Sequence, residues 1–387
     1  MVTAGFISKV VTLPLTVVKT IFEYYTVGTI YQQTSPEFSD SLWKNVHVSA
    51  LYHLSGNLHK SDVKTFSYVP LSNILSKYQN NHPLTQNLRN FGKPLDKYSY
   101  WIVENENAEN VVVYVHGGGY LLAMFEGQLV AFTTLYYALT PEVRAKTSFL
   151  VIDYSLTLFD HIFPTQIWES LSTYKTLVEN NYKHIHLVGD SAGVHLICAL
   201  VRYLAYPQES HELFSQFPQF DFSSFTNLPQ PKSLALLSPW IEPVTQPIIP
   251  TLHGVSILGD LGAKDTLMGE YYIEGLDREL INNFLTFSNT NFEDHWSKVE
   301  PIVNGNTIVV YGEREVLRDA IEKFHTIINK QNNIDLIMEK GGIHASFVYA
   351  ECVDYIGPKG SELALEGHFE NKFAYNVLSK FLNEQIE

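Results

Sequence analysis

The sequence predicts an α/β fold: a mostly parallel β-sheet flanked by helices. Two observations carry that expectation. From residue 98 onward, strand-like runs alternate with helical stretches: 148–153 reads as a strand, 166–180 as a helix, 184–188 as a strand, and 194–200 as a buried helix. Alternation of this kind builds βαβ units and so pairs the strands in parallel. The second observation is that two strands, 111–115 and 184–188, run straight into glycine-rich turns. Open sheets of this class bind ligands at the carboxyl edge of their strands, where such turns lie.

The strand 184–188 enters Gly189-Asp190-Ser191-Ala192-Gly193 and leaves as the apolar helix beginning at Val194. Strand, G-x-S-x-G and helix in that order form the nucleophile elbow of the α/β-hydrolase fold. The turn is so sharp that the serine hydroxyl projects above the sheet edge. Glycines two residues to either side let the helix pack without a Cβ in the way. Ser191 is therefore the expected nucleophile. The strand 111–115 leads into His116-Gly117-Gly118-Gly119-Tyr120. Ester hydrolysis passes through a tetrahedral oxyanion, and preorganised donors aimed at that oxygen supply its largest catalytic term. Consecutive glycines let backbone amides converge there, and the residue after the nucleophile adds another. The expected oxyanion hole is Gly117, Gly118, Gly119 and Ala192, with Gly117 shaping the turn and the other three donating. A phosphate-binding glycine loop would need a G-K-[ST] that does not follow. His116 is read as orienting the loop.

A serine nucleophile needs a base within hydrogen-bond reach and an acid that fixes the imidazole tautomer, in the chain order Ser, Asp/Glu, His. Among fifteen histidines position must decide. The strand at 334–338 is followed by a loop that reaches His344, which is taken as the base. His195 lies on the helix leaving the serine and points away. The acid belongs after the strand 307–311, where Glu313, Glu315 and Asp319 all stand. Glu315, just before the expected helix start at 316–318, is preferred, Glu313 is next, and Asp319 suits a first-turn acid facing the helix dipole.

Together these residues resemble the hormone-sensitive-lipase group of α/β-hydrolases. The likeness runs from about Tyr98 to the C-terminus. It includes Asp153-Tyr154-Ser155-Leu156, Phe163-Pro164 and Leu237-Ser238-Pro239-Trp240. Within the group, the Asp-Tyr-Ser-Leu variant, Ser-Pro-Trp and a glutamate in the acid slot are most similar to the fungal steryl acetyl hydrolases. That resemblance implies deacetylation of sterol acetates and an endoplasmic reticulum membrane location. Two departures stand out. The acid slot reads Glu315-Val316-Leu317-Arg318-Asp319 where many relatives carry Asp-Pro-Leu-Arg-Asp, and His195 occupies a position that is usually small or polar.

At 387 residues the chain accommodates one large α/β domain with insertions, or two domains. The expected division is an N-terminal apolar and cap region over 1–97 and a catalytic domain over 98–387. Within the latter, 241–298 is too long for a simple connection and reads as a helical lid. The stretch 206–230, rich in Phe, Ser, Gln and Pro, reads as a surface excursion. A formal charge of −15 excludes nucleic-acid binding and disfavours docking on anionic lipid. With only Cys198 and Cys352, neither a disulfide framework nor a metal site is expected, and the chemistry calls for no cofactor. The segment 1–31 is apolar on nearly every side. Its longest uncharged run, 10–18, is too short to span a bilayer, and Pro14 interrupts it. Three placements stay open for it: in the membrane interface, spanning imperfectly, or packed over the pocket as a cap. The absence of an N-x-[ST] sequon fits a cytosolic face, so a cytoplasmic location is the alternative to the endoplasmic reticulum membrane. The expected activity is a serine esterase acting on short-acyl, acetyl esters of hydrophobic alcohols. A lipase acting on longer-chain acylglycerols is the second reading, and a non-catalytic small-molecule-binding protein on the same fold is the third.

Overall fold

A computed structural model describes residues 1–106, 108–247, 255–289, 294–330 and 333–386, excepting the side chains of Asn80 and Asn81. Eight strands form one sheet: β1 Pro94–Asp96, β2 Ser99–Val103, β3 Asn110–Val115, β4 Thr147–Ile152, β5 His184–Asp190, β6 Ser233–Leu237, β7 Thr307–Gly312 and β8 Asp335–Glu339. Their order across the sheet is β1-β2-β4-β3-β5-β6-β7-β8. β2 pairs antiparallel with β1 and β4, and every pairing from β4 across to β8 is parallel. Each expected strand falls within two residues of an observed one. The sheet begins at Pro94, so a division at residue 98 falls inside the β1–β2 hairpin.

Strand periodicity sorts the core into two layers. Val111, Val113 and Val115 face one side with Leu171, Val194 and Leu236. Val112 and Tyr114 face the other with Phe132, Leu237 and Tyr375. Helices Thr165–Glu179 and Ala192–Ala205 cover the first face, while Glu126–Ala138 and Phe373–Ile386 cover the second. The central strands β3, β4 and β7 are buried along their whole length, as parallel strands covered on both faces must be.

The stretch 206–230 departs from expectation. It contains the helix Pro207–Phe214, and Phe214, Phe217, Phe222 and Phe225 are all buried in the core. The Phe214 and Phe222 rings stack with centroids 4.3 Å apart. Four phenylalanines, each stabilising burial by about 2 kcal/mol, outweigh the polar residues between them.

The first fifty residues form two packed helices. Ala4–Tyr25 lies against Leu42–Leu54, and it is folded inside out. Three of its polar side chains turn inward: Lys9 donates to the carbonyls of Leu54, Ser55 and Gly56, and Thr12 and Thr16 bond the two ring nitrogens of His53, while Lys19 stays exposed. Ile7, Val11, Leu15, Val18, Phe22 and Tyr25, spaced three or four residues apart, form an exposed apolar stripe. At 22 residues the helix is long and apolar enough to cross a bilayer by length and composition alone.

Past this helix, Tyr31, Phe38 and Val48 pack on Ile343 and Ala350, next to His344. A charge cluster locks the contact. Lys44 and Lys372 each bond both Glu37 and Asp354, with Lys44 2.6 Å from Asp354 and Lys372 2.9 Å from Glu37. Lys44 is 2% exposed, so removing it takes a buried cation away from two partly buried carboxylates, Glu37 and Asp354. Lys44→Ala is expected to lower unfolding free energy by about 1–2 kcal/mol, less than for a fully buried pair, because Glu37 and Asp354 are partly exposed and keep Lys372. Urea denaturation checks it; an unchanged midpoint contradicts the assignment.

Candidate active site

Ser191 stands between β5 and its following helix with φ 52° and ψ −118°, a conformation L-residues rarely adopt. Neighbouring backbone holds it there. Its amide donates to the Leu237 carbonyl at 3.0 Å, and its carbonyl accepts from Trp240 at 3.3 Å. The flanking glycines are there for space. A Cβ at Gly193 would sit 1.9 Å from the Val115 carbonyl oxygen, and one at Gly189 would sit 2.7 Å from Ile197. The elbow is thus pressed against the end of β3, where the glycine loop starts.

A buried carboxylate joins the two motifs. Asp190 accepts from the Tyr114 hydroxyl, from the Gly117 amide at 2.9 Å and from Gln128. Burial pushes its carboxyl above the usual range, against the pull of those donors. The Gly117 amide is therefore committed to Asp190. Gly117 shapes the loop and is not a free donor, a correction to its inclusion in the oxyanion set. The amides of Gly118, Gly119 and Ala192 have no protein acceptor among the described residues. Gly118 at φ 115° and Gly119 at φ 60° take backbone conformations that suit glycine.

His344 Nε2 lies 2.9 Å from Ser191 Oγ, and its Nδ1 lies 2.9 Å from Glu315 Oε2. The structure thus brings Ser191, Glu315 and His344 together from the ends of β5, β7 and β8. The other Glu315 oxygen accepts from Ser238 Oγ at 2.6 Å and from the Gly312 amide at 2.7 Å. Ser238 Oγ in turn accepts from the Ala345 amide at 2.8 Å. A carboxylate so supplied with donors orients the imidazole with Nδ1–H toward itself and leaves Nε2 free to take a proton from the serine. Glu313 points elsewhere, accepting from the Gly341 amide, and Asp319 sits in the first turn of the helix Arg318–Ile328.

Two fully buried histidines near the site, His116 and His195, are structural. His116 is buried, donates through Nδ1 to the Gly117 carbonyl at 2.7 Å and stacks on Tyr154; burial pushes its pKa down to about 4. His195 Nε2–H donates to the Leu285 carbonyl at 3.1 Å, so Nδ1 accepts from Tyr120 at 2.7 Å. That imidazole links the glycine loop, the elbow helix and the 241–298 segment. Burial holds it neutral, with a pKa of about 4.

A cavity of about 380 Å³ opens on Ser191, His344, Gly118 and Gly119. Its apolar walls come from Phe6, Leu51, Leu54, Val63 and Phe66 of the N-terminal region and from Leu261 and Met268 of the 241–298 segment. Sequence reasoning missed three residues around this site. Ser238 was visible in the Ser-Pro-Trp motif, at the carboxyl end of β6. Asp260 and Arg314, both fully buried, carry no local signal because their partners lie far away in the chain.

A parallel sheet with a strained serine at one strand end and a histidine–glutamate pair beside it is the architecture of α/β-hydrolase esterases. Solved structures agree on the fold. An esterase of the bacterial hormone-sensitive lipase family superposes with a TM-score of 0.55 at 18% identity, covering 91% of this chain and 99% of that one. A mutant of esterase E40 gives 0.56 at 19% identity, covering 91% and 100%. The steryl acetyl hydrolase family model matches residues 5–354, and the chain belongs to that family. It is a carboxylic ester hydrolase. A Schizosaccharomyces pombe protein named "Putative steryl acetyl hydrolase mug81" is 27% identical over 403 positions, spanning all of both chains.

The electrostatics give a pH expectation. Burial opposes charging His344, but the hydrogen bond and charge of Glu315, with Asp260 and Asp190 nearby, outweigh it and raise its pKa above the ordinary value. A base must be neutral to act, so kcat/KM is expected to fall as pH drops through a value above about 6.5. Glu315→Gln is expected to move that limb to lower pH and cut kcat by about 10⁴-fold. Glu313→Gln is expected to do neither. A severe loss in Glu313→Gln with a mild one in Glu315→Gln reverses the assignment.

Proposed function

We propose that the protein is a serine esterase that removes acetyl and other short acyl groups from esters of hydrophobic alcohols, sterol acetates among them. One observation carries this reading: the Glu315–His344–Ser191 hydrogen-bond chain ends beside unpartnered amides at the floor of an apolar cavity. Ser191 Oγ attacks the ester carbonyl while His344 Nε2 takes its proton. Glu315 stabilises the imidazolium that forms. The amides of Gly118, Gly119 and Ala192 receive the oxyanion. His344 returns the proton to the leaving alcohol, then activates water against the acyl-enzyme to free the acid and Ser191.

The cavity and the family both support this substrate class. At about 380 Å³ the cavity is within the range of small-molecule sites, and its walls suit a rigid apolar alcohol. In this reading the N-terminal region and 241–298 together form the cap. The test is an ester panel of p-nitrophenyl acetate, octanoate and oleate, sterol acetate and acylglycerols, run on wild type and Ser191→Ala. Wild type is expected to prefer acetyl esters. Ser191→Ala is expected to lose turnover by on the order of 10⁶-fold while remaining folded. Rates that rise with acyl length favour the lipase reading. A folded wild-type chain that turns over nothing and takes up no fluorophosphonate favours the binding-protein reading.

The inside-out helix supports a second part of the proposal, that the protein sits on a membrane, that of the endoplasmic reticulum by resemblance to its family. A helix that turns Lys9, Thr12 and Thr16 toward the protein and exposes isoleucine, valine, leucine and phenylalanine presents a face suited to the lipid boundary. Val11→Ser, Leu15→Ser and Phe22→Ser together are expected to abolish cosedimentation with phosphatidylcholine vesicles and to leave p-nitrophenyl acetate turnover intact. Undiminished vesicle binding by the triple variant contradicts it.

A further inference from the structure

Asp260 lies on the strap of chain 255–262, away from the strands that carry the candidate triad, yet its side chain is fully buried against both acid and base loops. Its Oδ1 accepts from the His344 amide at 2.6 Å. Its Oδ2 accepts from the Val316 amide at 2.9 Å and from the Gly262 amide at 3.1 Å. Val316 directly follows Glu315. One carboxylate thus touches the backbone of the base and the backbone beside the acid, through charge-assisted hydrogen bonds, the stronger kind.

The strap is held in that position from both sides. A Cβ at Gly262 would lie 2.8 Å from both Asp260 Oδ2 and Val316 Cγ1, so only a glycine lets the strap come so close. Arg314, the residue before Glu315, donates to the Ser256 carbonyl at 2.9 Å and to the Leu258 carbonyl. The same guanidinium reaches Thr34 at 2.8 Å, and the Tyr31 hydroxyl donates to the Gly259 carbonyl at 3.1 Å. The N-terminal region therefore clamps the strap onto the loops that carry Glu315 and His344.

We propose that Asp260 is a positioning residue for the triad: its carboxylate fixes the separation of the acid and base loops, so that His344 meets both Glu315 and Ser191 only when the strap is seated. This rests on the Ser191–His344–Glu315 reading of the site. Seated side chains count because a displacement of about 1 Å at a reacting group lowers rate by about 100-fold. The carboxylate has a second consequence. The charged groups facing the imidazole are Glu315, Asp260 and Asp190, so losing the Asp260 charge removes part of what favours the imidazolium.

The experiment uses the full chain with Asp260→Ala and with the isosteric Asp260→Asn, which keeps one carbonyl oxygen for the amides. Steady-state kinetics on p-nitrophenyl acetate, the acid limb of kcat/KM, the rate of fluorophosphonate labelling and circular dichroism are measured for each. Folded Asp260→Ala is expected to lower kcat by about 10- to 100-fold with KM within about threefold of wild type. Labelling should slow in proportion, and the acid limb should move to lower pH. Asp260→Asn should fall between the two, and it carries the test if the alanine variant does not fold. A folded variant with wild-type kcat and an unmoved acid limb overturns the proposal, even if its melting temperature drops. A wild-type chain that takes up no probe, or a Ser191→Ala chain that still does, breaks the triad reading itself and this inference with it.

Discussion

A serine held at φ 52° is the constraint around which the molecule is arranged. Such a backbone costs about 1–3 kcal/mol and persists only where its surroundings over-determine it. Here they do. The Leu237 and Trp240 backbone bonds fix Ser191 from the β6 side, and the close approach of Gly193 to Val115 fixes the turn from the β3 side. Pressing the elbow onto the end of β3 also brings the glycine loop alongside. Asp190 then joins the two through the Gly117 amide, which leaves the next two amides free. The strained turn and the open amides are therefore one construction.

The second half of the site is assembled from further away. Glu315 and His344 reach Ser191 from β7 and β8, and other elements of the chain hold both loops. Ser238 bonds the Glu315 carboxylate and accepts from the Ala345 amide, so β6 holds acid and base together from below. The strap at 255–262 and the residues Tyr31 and Thr34 close the arrangement from above. The N-terminal region thus contributes both cavity wall and support for the reacting loops. Its first helix turns Lys9, Thr12 and Thr16 toward the protein and an apolar stripe outward, and Phe6 of the same helix lines the cavity.

The parts of this that were legible in the sequence are those written locally. Strand, turn and helix around Ser191 occupy consecutive residues, as does the run from β3 into Gly117, Gly118 and Gly119, so both could be read from pattern. The order of β7 and β8 put the acid and base candidates in their loops, but not which glutamate turns inward; Gly312 and Ser238 decide that by offering donors to Glu315 alone. Asp260 and Arg314 were invisible for the same reason that they are informative. The partners that tie them to the site and the N-terminal region stand 56, 84 and 280 positions away, and no spacing rule connects them. The helix Ala4–Tyr25 reads as apolar all round, because only the packed structure reveals that Lys9, Thr12 and Thr16 face inward. The buried phenylalanines of 206–230 were masked by the serines, glutamines and prolines among them.

The account's central claim is that one serine, one imidazole and three backbone amides act on a single carbonyl. A crystal structure of the enzyme inactivated by a fluorophosphonate tests it most directly. The phosphorus is expected on Ser191 Oγ, with its phosphoryl oxygen within hydrogen-bond distance of the Gly118, Gly119 and Ala192 amides and the His344–Glu315 bond intact. Phosphorus on another side chain, or a phosphoryl oxygen turned away from those amides, would contradict it.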